Sequence, residues 1–269
     1  MKDYWARHVK AVILCGGQGS RIRDVNEVLP KPLLPIGDKP IVWHIMKGYA
    51  VHGITHFVLC LGYKGWLIKE FFLNYRAMTS DLTVHLGQRG AVEFVSRHTE
   101  DEAWDVTLAE TGEATQTAGR IAAIRRYVEE DGLFCLTYGD GVANVDIGRL
   151  LAFHQEHGKV ATVTATRPPG RFGEIDLDGA FVSRFNEKPQ ASSGRINGGF
   201  FVLDSGRIWD YLGDDPSVAF EREPLQRLAA DRQLVAFEHT DFFQPMDTAR
   251  EFRLLNDLWE SGAAPWKTW

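Results

Sequence analysis

The chain has 269 residues, 44% of them hydrophobic and 25% charged, which is enough for a sizeable core. A formal net charge of −6 argues against duplex nucleic acid or anionic membrane as a partner, so any phosphate site must be a local concentration of Arg and Lys. No apolar run approaches the ~20 residues of a membrane span, and MKDYWARH lacks an apolar signal core, which predicts a cytoplasmic protein.

The run from Val9 to Cys15, polar only at Lys10, suits a strand buried on both faces of a parallel sheet. It opens into Gly16, Gly17, Gln18 and Gly19, followed by Ser20 and Arg21. Without Cβ atoms, the glycines let backbone N–H groups close on an anion, and Arg21 adds a fork that matches phosphate oxygens. The spacing is neither the dinucleotide fingerprint, whose last glycine is missing, nor a Walker loop, which needs Gly-Lys-Ser or Gly-Lys-Thr. Lys31 follows between Pro30 and Pro32, with Pro35 and Pro40 beyond. Prolines cannot extend a helix, so this predicts Lys31 on a stiff, extended loop. The pattern reads as a polyphosphate cradle followed by a rigidly presented lysine.

Ile41 to Val51 has helical spacing and a stop near Gly53. His56 to Leu61 is a second buried strand closed by Gly62, and a helix from Trp66 to Tyr75 follows. That alternation predicts right-handed crossovers and a mostly parallel central sheet flanked by helices. Val84 with Leu86, then Val92 to Val95, suggest short strands, and the charges from Glu100 to Glu102 an exposed turn. Asp105 to Glu110 resumes strand alternation. Thr117-Ala118-Gly119-Arg120 then introduces a helix from Ile121 to Val128; small residues there admit a flat ring, or form a plain capped turn.

Leu133 to Tyr138 is the strongest central strand and delivers Gly139-Asp140-Gly141 at its carboxyl end, the edge where open α/β sheets bind ligands. Asp146 caps a predicted helix from Ile147 to His157, in which His154 and His157 read as solvated residues, not metal ligands. Val160 to Thr166 is a strand, and the loop after it presents Arg171. Glu174 to Leu177 and Phe181 to Glu187 flank Asp178-Gly179, the best hairpin signal in the chain and a small β-hairpin insertion. Lys188 and Pro189 end that hairpin, and Asn197-Gly198-Gly199 precede the apolar Phe200 to Leu203. Pro224 to Ala230 reads as a helix and Leu234 to Glu238 as a strand. Asp247 opens the last helix, in the place of an N-cap, and the Trp- and Pro-rich tail reads as packed. Cys15, Cys60 and Cys135 lie in apolar runs and read as reduced packing residues. No linker divides the chain, so a single domain is expected, with about 9–140 and 141–247 as its two halves and a terminal helix and tail over 248–269.

Taken with Leu61-Gly62-Tyr63-Lys64-Gly65, Thr137-Tyr138-Gly139-Asp140-Gly141, Asn197-Gly198-Gly199 and Gln244-Pro245-Met246-Asp247-Thr248, the opening stretch resembles the sugar-1-phosphate nucleotidylyltransferases. Within that family the chain is most similar to the glucose-1-phosphate cytidylyltransferases, from Val9 to the end. The resemblance implies a Rossmann-like nucleotidyltransferase fold, transfer of a cytidylyl group from CTP to glucose 1-phosphate, and a homo-oligomer, hexameric in that group. It places Lys188 on the sugar phosphate and the segment around Gln116 and Gly119 near the base, although relatives usually carry methionine where this chain has Gln116. Cys15, Ser20 and Pro35 also depart from the usual pattern, and none removes a group that the chemistry needs.

The expected reaction is in-line displacement at the α-phosphorus, in which positioning and charge neutralisation are the difficulty. Mg2+ suits it, held by Asp140 and Asp247. Lys31 neutralises the α-phosphate, Arg21 and the amides of Gly16 to Ser20 hold the outer phosphates, and Tyr138, Glu187, Asn197 and Gly198 lie near the hexose. A uridylyl- or thymidylyltransferase and a non-catalytic nucleotide-sugar sensor are the competing readings.

Overall fold

The computed structural model describes residues 9–19, 22, 25, 27–87, 90–95, 102–167 and 194–269, and the backbone alone of 174–178 and 181–186. Its centre is a seven-stranded sheet. In chain order the strands are β1 Ala11–Leu14, β2 His56–Leu61, β3 Asp105–Glu110, β4 Leu133–Tyr138, β5 Ala161–Thr166, β6 Ile196–Asp204 and β7 Leu234–His239. They lie side by side as β7-β5-β6-β4-β1-β2-β3. β6 is antiparallel to both its neighbours, and every other pairing is parallel.

All four residues of β1 are buried because the strand has a core on each side. Ala11 and Ile13 point into one hydrophobic cluster, and Val12 and Leu14 into the other. This explains a run of apolar residues without alternation. The first face is covered by α1 (Ile41–Ala50), α2 (Gly65–Leu73) and, farther along, α6 (Ile147–His157) and α9 (Ala249–Glu260), while a short α3 (Tyr75–Thr79) follows α2 with no buried residue. The second is covered by α4 (Thr117–Ala123), α5 (Arg125–Val128), α7 (Trp209–Leu212) and α8 (Glu223–Ala230). Outside the sheet, Leu82–His85 pairs with Ala91–Phe94, and Glu174–Asp178 with Phe181–Asn186, as antiparallel hairpins.

Several expectations need correction. The helix predicted from Trp66 to Tyr75 breaks at Asn74, whose side-chain amide donates to the Glu70 carbonyl at 2.8 Å and competes with the backbone ladder. The helix predicted to begin at Ile121 begins at Thr117, so Arg120 lies within it. Lys31 is not in an extended loop: Lys31–Leu33 forms one 3-10 turn. Proline is compatible there, because a first-turn residue has no N–H partner to lose and its fixed φ suits the turn. Glu102 is not an exposed turn residue but half-buried, receiving Lys47 at 2.8 Å. Gly179, Glu100, Asp101 and Arg171 lie outside the described residues. In the tail, Trp266 is 2% exposed and stacks on Phe242 and Trp259.

Candidate active site

The carboxyl end of β4 runs into Asp140, and the ladder that follows fixes where its partner sits. Gly141–Ala143 pairs antiparallel with Phe243–Pro245, with Pro245 opposite Gly141. Met246 N–H then donates to the Asp140 carbonyl at 2.8 Å. Residues 107 positions apart in sequence therefore meet, and Asp247 emerges beside Asp140. Thr248, not Asp247, is the N-cap of α9: Glu251 N–H donates to its hydroxyl, while the Glu251 carboxylate accepts from Thr248 N–H. The same carboxylate accepts from Asp247 N–H at 2.7 Å, so a capping box fixes the Asp247 backbone and leaves its side chain to face the sheet edge.

Lys31 reaches both acids. Its Nζ donates to Asp140 Oδ2 at 2.7 Å and to Asp247 Oδ1 at 2.5 Å. The lysine side chain is 9% exposed, so this is not a solvent-screened surface pair. Burial pushes the amine pKa down, but the two carboxylates outweigh it and hold the ammonium above its ordinary value. The donor set fits a hard divalent cation, since two carboxylate oxygens already converge on one positive charge. Among the described residues no cluster of three or more His, Cys, Asp or Glu side chains converges, so a cation here needs oxygens from water or phosphate as well.

Three cavities share Asp140 as a lining residue. One, about 220 Å³, is lined by Cys15, Gly17, Gly19, Lys31, Asp140 and Asp247 among others. A second, about 580 Å³, lies over Gly16, Gly17, Gln18, Gln116, Thr117 and Asp140. The third, about 250 Å³, is bounded by Tyr138, Asp140, Asn197, Gly198, Glu221 and Asp247. Thus Gly16, Gly17, Gln18, Gly19, Lys31, Gln116, Tyr138, Asp140, Asn197, Gly198 and Asp247 are gathered at one edge of the sheet. Ser20, Arg21, Glu187 and Lys188 lie outside the described residues. Gly119 does not line any of these three cavities: a Cβ there would sit 2.7 Å from the Pro216 Cα, so its small size serves packing between α4 and the 216 segment.

Arg120, which the sequence reading passed over, underlies the glycine loop. Its Nη1 donates to the carbonyls of Leu61 and Gly112 and to Thr111 Oγ1, at 3.0, 2.7 and 2.7 Å. Its Nη2 donates to the carbonyls of Gly16 at 3.0 Å and Glu113 at 3.3 Å. Gly16 and Gly62 are glycines because a Cβ at either would fall 2.1 or 2.5 Å from that Nη1. One buried guanidinium therefore ties the loop after β1 to the ends of β2 and β3. The signal was in the pattern: Arg120 is one position before Ile121 and four before Ile124, inside an otherwise small and apolar stripe.

The predicted solvated histidines are also corrected. His154 is 4% exposed, and its Nδ1 and the Nε2 of His157 each lie 2.8 Å from Thr162 Oγ1. Burial, with His157 alongside, lowers the His154 pKa to about 4. The cysteines are buried and unpaired, and burial lifts the Cys60 thiol to about 12, which suits packing residues.

The sequence matches the family model described as Nucleotidyl transferase over residues 10–242. A glucose-1-phosphate cytidylyltransferase of Salmonella typhi is 50% identical over 261 residues, covering 97% of this chain and 100% of its own length. Its namesake from Salmonella typhimurium matches with the same identity and coverage. Among solved structures, HddC from Yersinia pseudotuberculosis superposes with a TM-score of 0.65 at 22% identity, covering 93% of this chain and 99% of that one, a likeness of fold. A lysine clasped by two acids at the carboxyl edge of a mixed sheet is thus set in a chain that belongs to the nucleotidyl transferase family, on the branch of the glucose-1-phosphate cytidylyltransferases.

Proposed function

We propose that the protein transfers a cytidylyl group from CTP to α-D-glucose 1-phosphate, giving CDP-glucose and pyrophosphate. The observation that carries this reading is the Lys31–Asp140–Asp247 cluster, whose Asp140 lines all three cavities. Half-identity to whole-length relatives bearing that name supports the choice of substrates.

A phosphate oxygen of the sugar 1-phosphate attacks the α-phosphorus in line, the bond to the bridging oxygen breaks, and pyrophosphate leaves with its electron pair. The attacking oxyanion is ionised near neutral pH, so no strong general base is needed; positioning and charge neutralisation make the rate. Lys31 neutralises the α-phosphate oxygens as charge builds, and the amides of Gly16 to Gly19, with Ser20 and Arg21, hold the outer phosphates. The base takes the larger cavity beside Gln116. The hexose takes the cavity lined by Tyr138, Asn197 and Gly198, with Glu187 and Lys188 assigned to the same substrate. Nucleotidyltransferases of this family generally use a divalent metal; here Asp140 and Asp247 would hold Mg2+, which would supply charge neutralisation at the phosphates.

We also read the chain as a cytoplasmic homo-oligomer, hexameric by resemblance, with residues 9–140 serving the nucleotide and 141–247 the sugar phosphate. The described residues hold no helix long and apolar enough to cross a membrane. Exposed Trp66, Leu73, Met78, Leu86 and Val95 offer a contact surface between copies.

Pyrophosphate release measured with CTP, UTP, dTTP and GTP against several hexose 1-phosphates tests the assignment. CTP with glucose 1-phosphate is expected to give the highest kcat/KM; a higher value for UTP or dTTP would replace the cytidylyl reading, and silence with all of them would leave the sensor reading.

A further inference from the structure

We propose that Glu221 is the hexose-specificity residue of this site, accepting hydroxyl hydrogens of the sugar and holding the sugar cavity in register with the nucleotide cavity. The inference rests on the transferase reading above and adds a residue that no motif pointed to.

Three carboxylates line the sugar-side cavity: Asp140, Asp247 and Glu221. The first two are engaged by Lys31, which leaves Glu221, among the described residues, as the acidic group facing the remainder of the cavity. Its two oxygens are held from opposite sides. Tyr138 O–H donates to Oε1 at 2.6 Å, and Thr117 O–H donates to Oε2 at 2.7 Å. An ionised carboxylate has about four lone-pair sites, so two such bonds fix its orientation and leave acceptor capacity for a ligand. Asn197 Nδ2 donates to the same Tyr138 oxygen at 3.3 Å, and Asn197 Oδ1 accepts from Gly199 N–H at 2.8 Å. Burial, and then the Glu221 charge, hold the Tyr138 phenol well above its usual range, so it remains an O–H donor.

The segment carrying Glu221 is stitched to the head of α4. Gln116 N–H donates to the Pro216 carbonyl at 2.8 Å, and Ala118 N–H to the Val218 carbonyl at 3.2 Å. Phe220 N–H donates to Thr117 Oγ1 at 2.7 Å, and Gly119 seats directly on Pro216. Gln116 and Thr117 belong to the wall of the nucleotide cavity, whereas Tyr138 is shared by both cavities. The Glu221 carboxylate thus joins the nucleotide wall to the sugar wall through two hydrogen bonds. An acceptor-only group with fixed orientation suits a polyol, whose hydroxyls donate in directions set by the ring, and a carboxylate at that position discriminates between epimers.

The test is steady-state kinetics on Glu221→Gln and Glu221→Asp, with glucose 1-phosphate and with its series of monodeoxy analogues. Glu221→Gln keeps the shape and replaces an acceptor by an amide donor. It is expected to raise the sugar-phosphate KM about 30-fold while the CTP KM changes less than about three-fold, as for loss of a charged hydrogen bond. Glu221→Asp, which restores the charge one methylene short, is expected to recover part of that loss, and it carries the test if Glu221→Gln fails to fold. One deoxy analogue is expected to be penalised in the wild type and not in Glu221→Gln. An unchanged sugar-phosphate KM, or equal rises in both KM values, would overturn the role of Glu221 while leaving the transferase reading intact. No turnover by the wild type with any hexose 1-phosphate would overturn that reading and this inference with it.

Discussion

At the scale of single residues, charge placed against burial decides what each group does. Lys31 remains cationic because two carboxylates offset its desolvation, and those carboxylates in turn present oxygens to one point. Replacing Asp247 with Asn is expected to cut kcat about 1,000-fold with an unchanged far-UV circular dichroism spectrum; near-wild-type kcat would remove Asp247 from the metal role. Arg120 is structural in a different way, since its fork satisfies five acceptors beside the cavity over Gly16 and Gln116. Arg120→Lys has one head group in place of a fork, so urea unfolding is expected to register a loss of about 2–3 kcal/mol. Lys31 and Asp140 were legible because proline and glycine neighbours mark special backbone. Arg120 was not singled out and His154 was read as solvated, although both are buried on apolar helical stripes: a polar residue on such a stripe reads as a surface residue until the partner that satisfies it is seen.

Among the elements, α9 shows how a local motif serves a distant one. Its capping box uses Thr248 and Glu251, and the Glu251 carboxylate also takes Asp247 N–H. Glu251→Ala is therefore expected to lose about 1 kcal/mol of stability by thermal melting, together with about ten-fold in kcat as Asp247 loosens. An equal stability loss with unchanged kcat would show that the cap does not position the acid. The parallel strands β1, β2 and β4 were readable because burial on both faces leaves an unbroken apolar run. The direction of β6 was not, since hydrophobic pattern is the same for either direction and only the pairing partners differ. The ladder between Gly141–Ala143 and Phe243–Pro245 was equally hidden. It is short and non-local, yet it is what brings Asp140 and Asp247 together.

For the molecule as a whole, the parallel strands end at one edge, where Gly16, Gly17 and Gly19, the buried Arg120 and the acid pair lie. The opposite concern, holding the face together, falls partly on His44. Its Nε2 lies 2.9 Å from the Ile36 carbonyl, which only accepts, and Trp266 Nε1–H donates to its Nδ1 at 3.4 Å. These partners fix the neutral Nε2–H tautomer. Burial lowers the His44 pKa to about 4, as it does for His154. The unfolded chain, with histidines near 6.5, binds more protons than the native state between those values, so stability falls as pH drops from about 6.5 to about 4. The loss is on the order of 3 kcal/mol per histidine across that window. Urea titrations at stepped pH are expected to show this slope, and His44→Gln is expected to reduce it; a flat profile over the window would contradict the neutral, buried state of both rings. The central claim concerns the acid pair and the lysine. Crystals grown with Mn2+ and a non-hydrolysable CTP analogue test it directly through the anomalous signal of the metal. The account predicts a single manganese peak shared by the Asp140 and Asp247 carboxylates, with Lys31 Nζ on an α-phosphate oxygen; manganese bound elsewhere, with Lys31 still bridging the two acids, would contradict it.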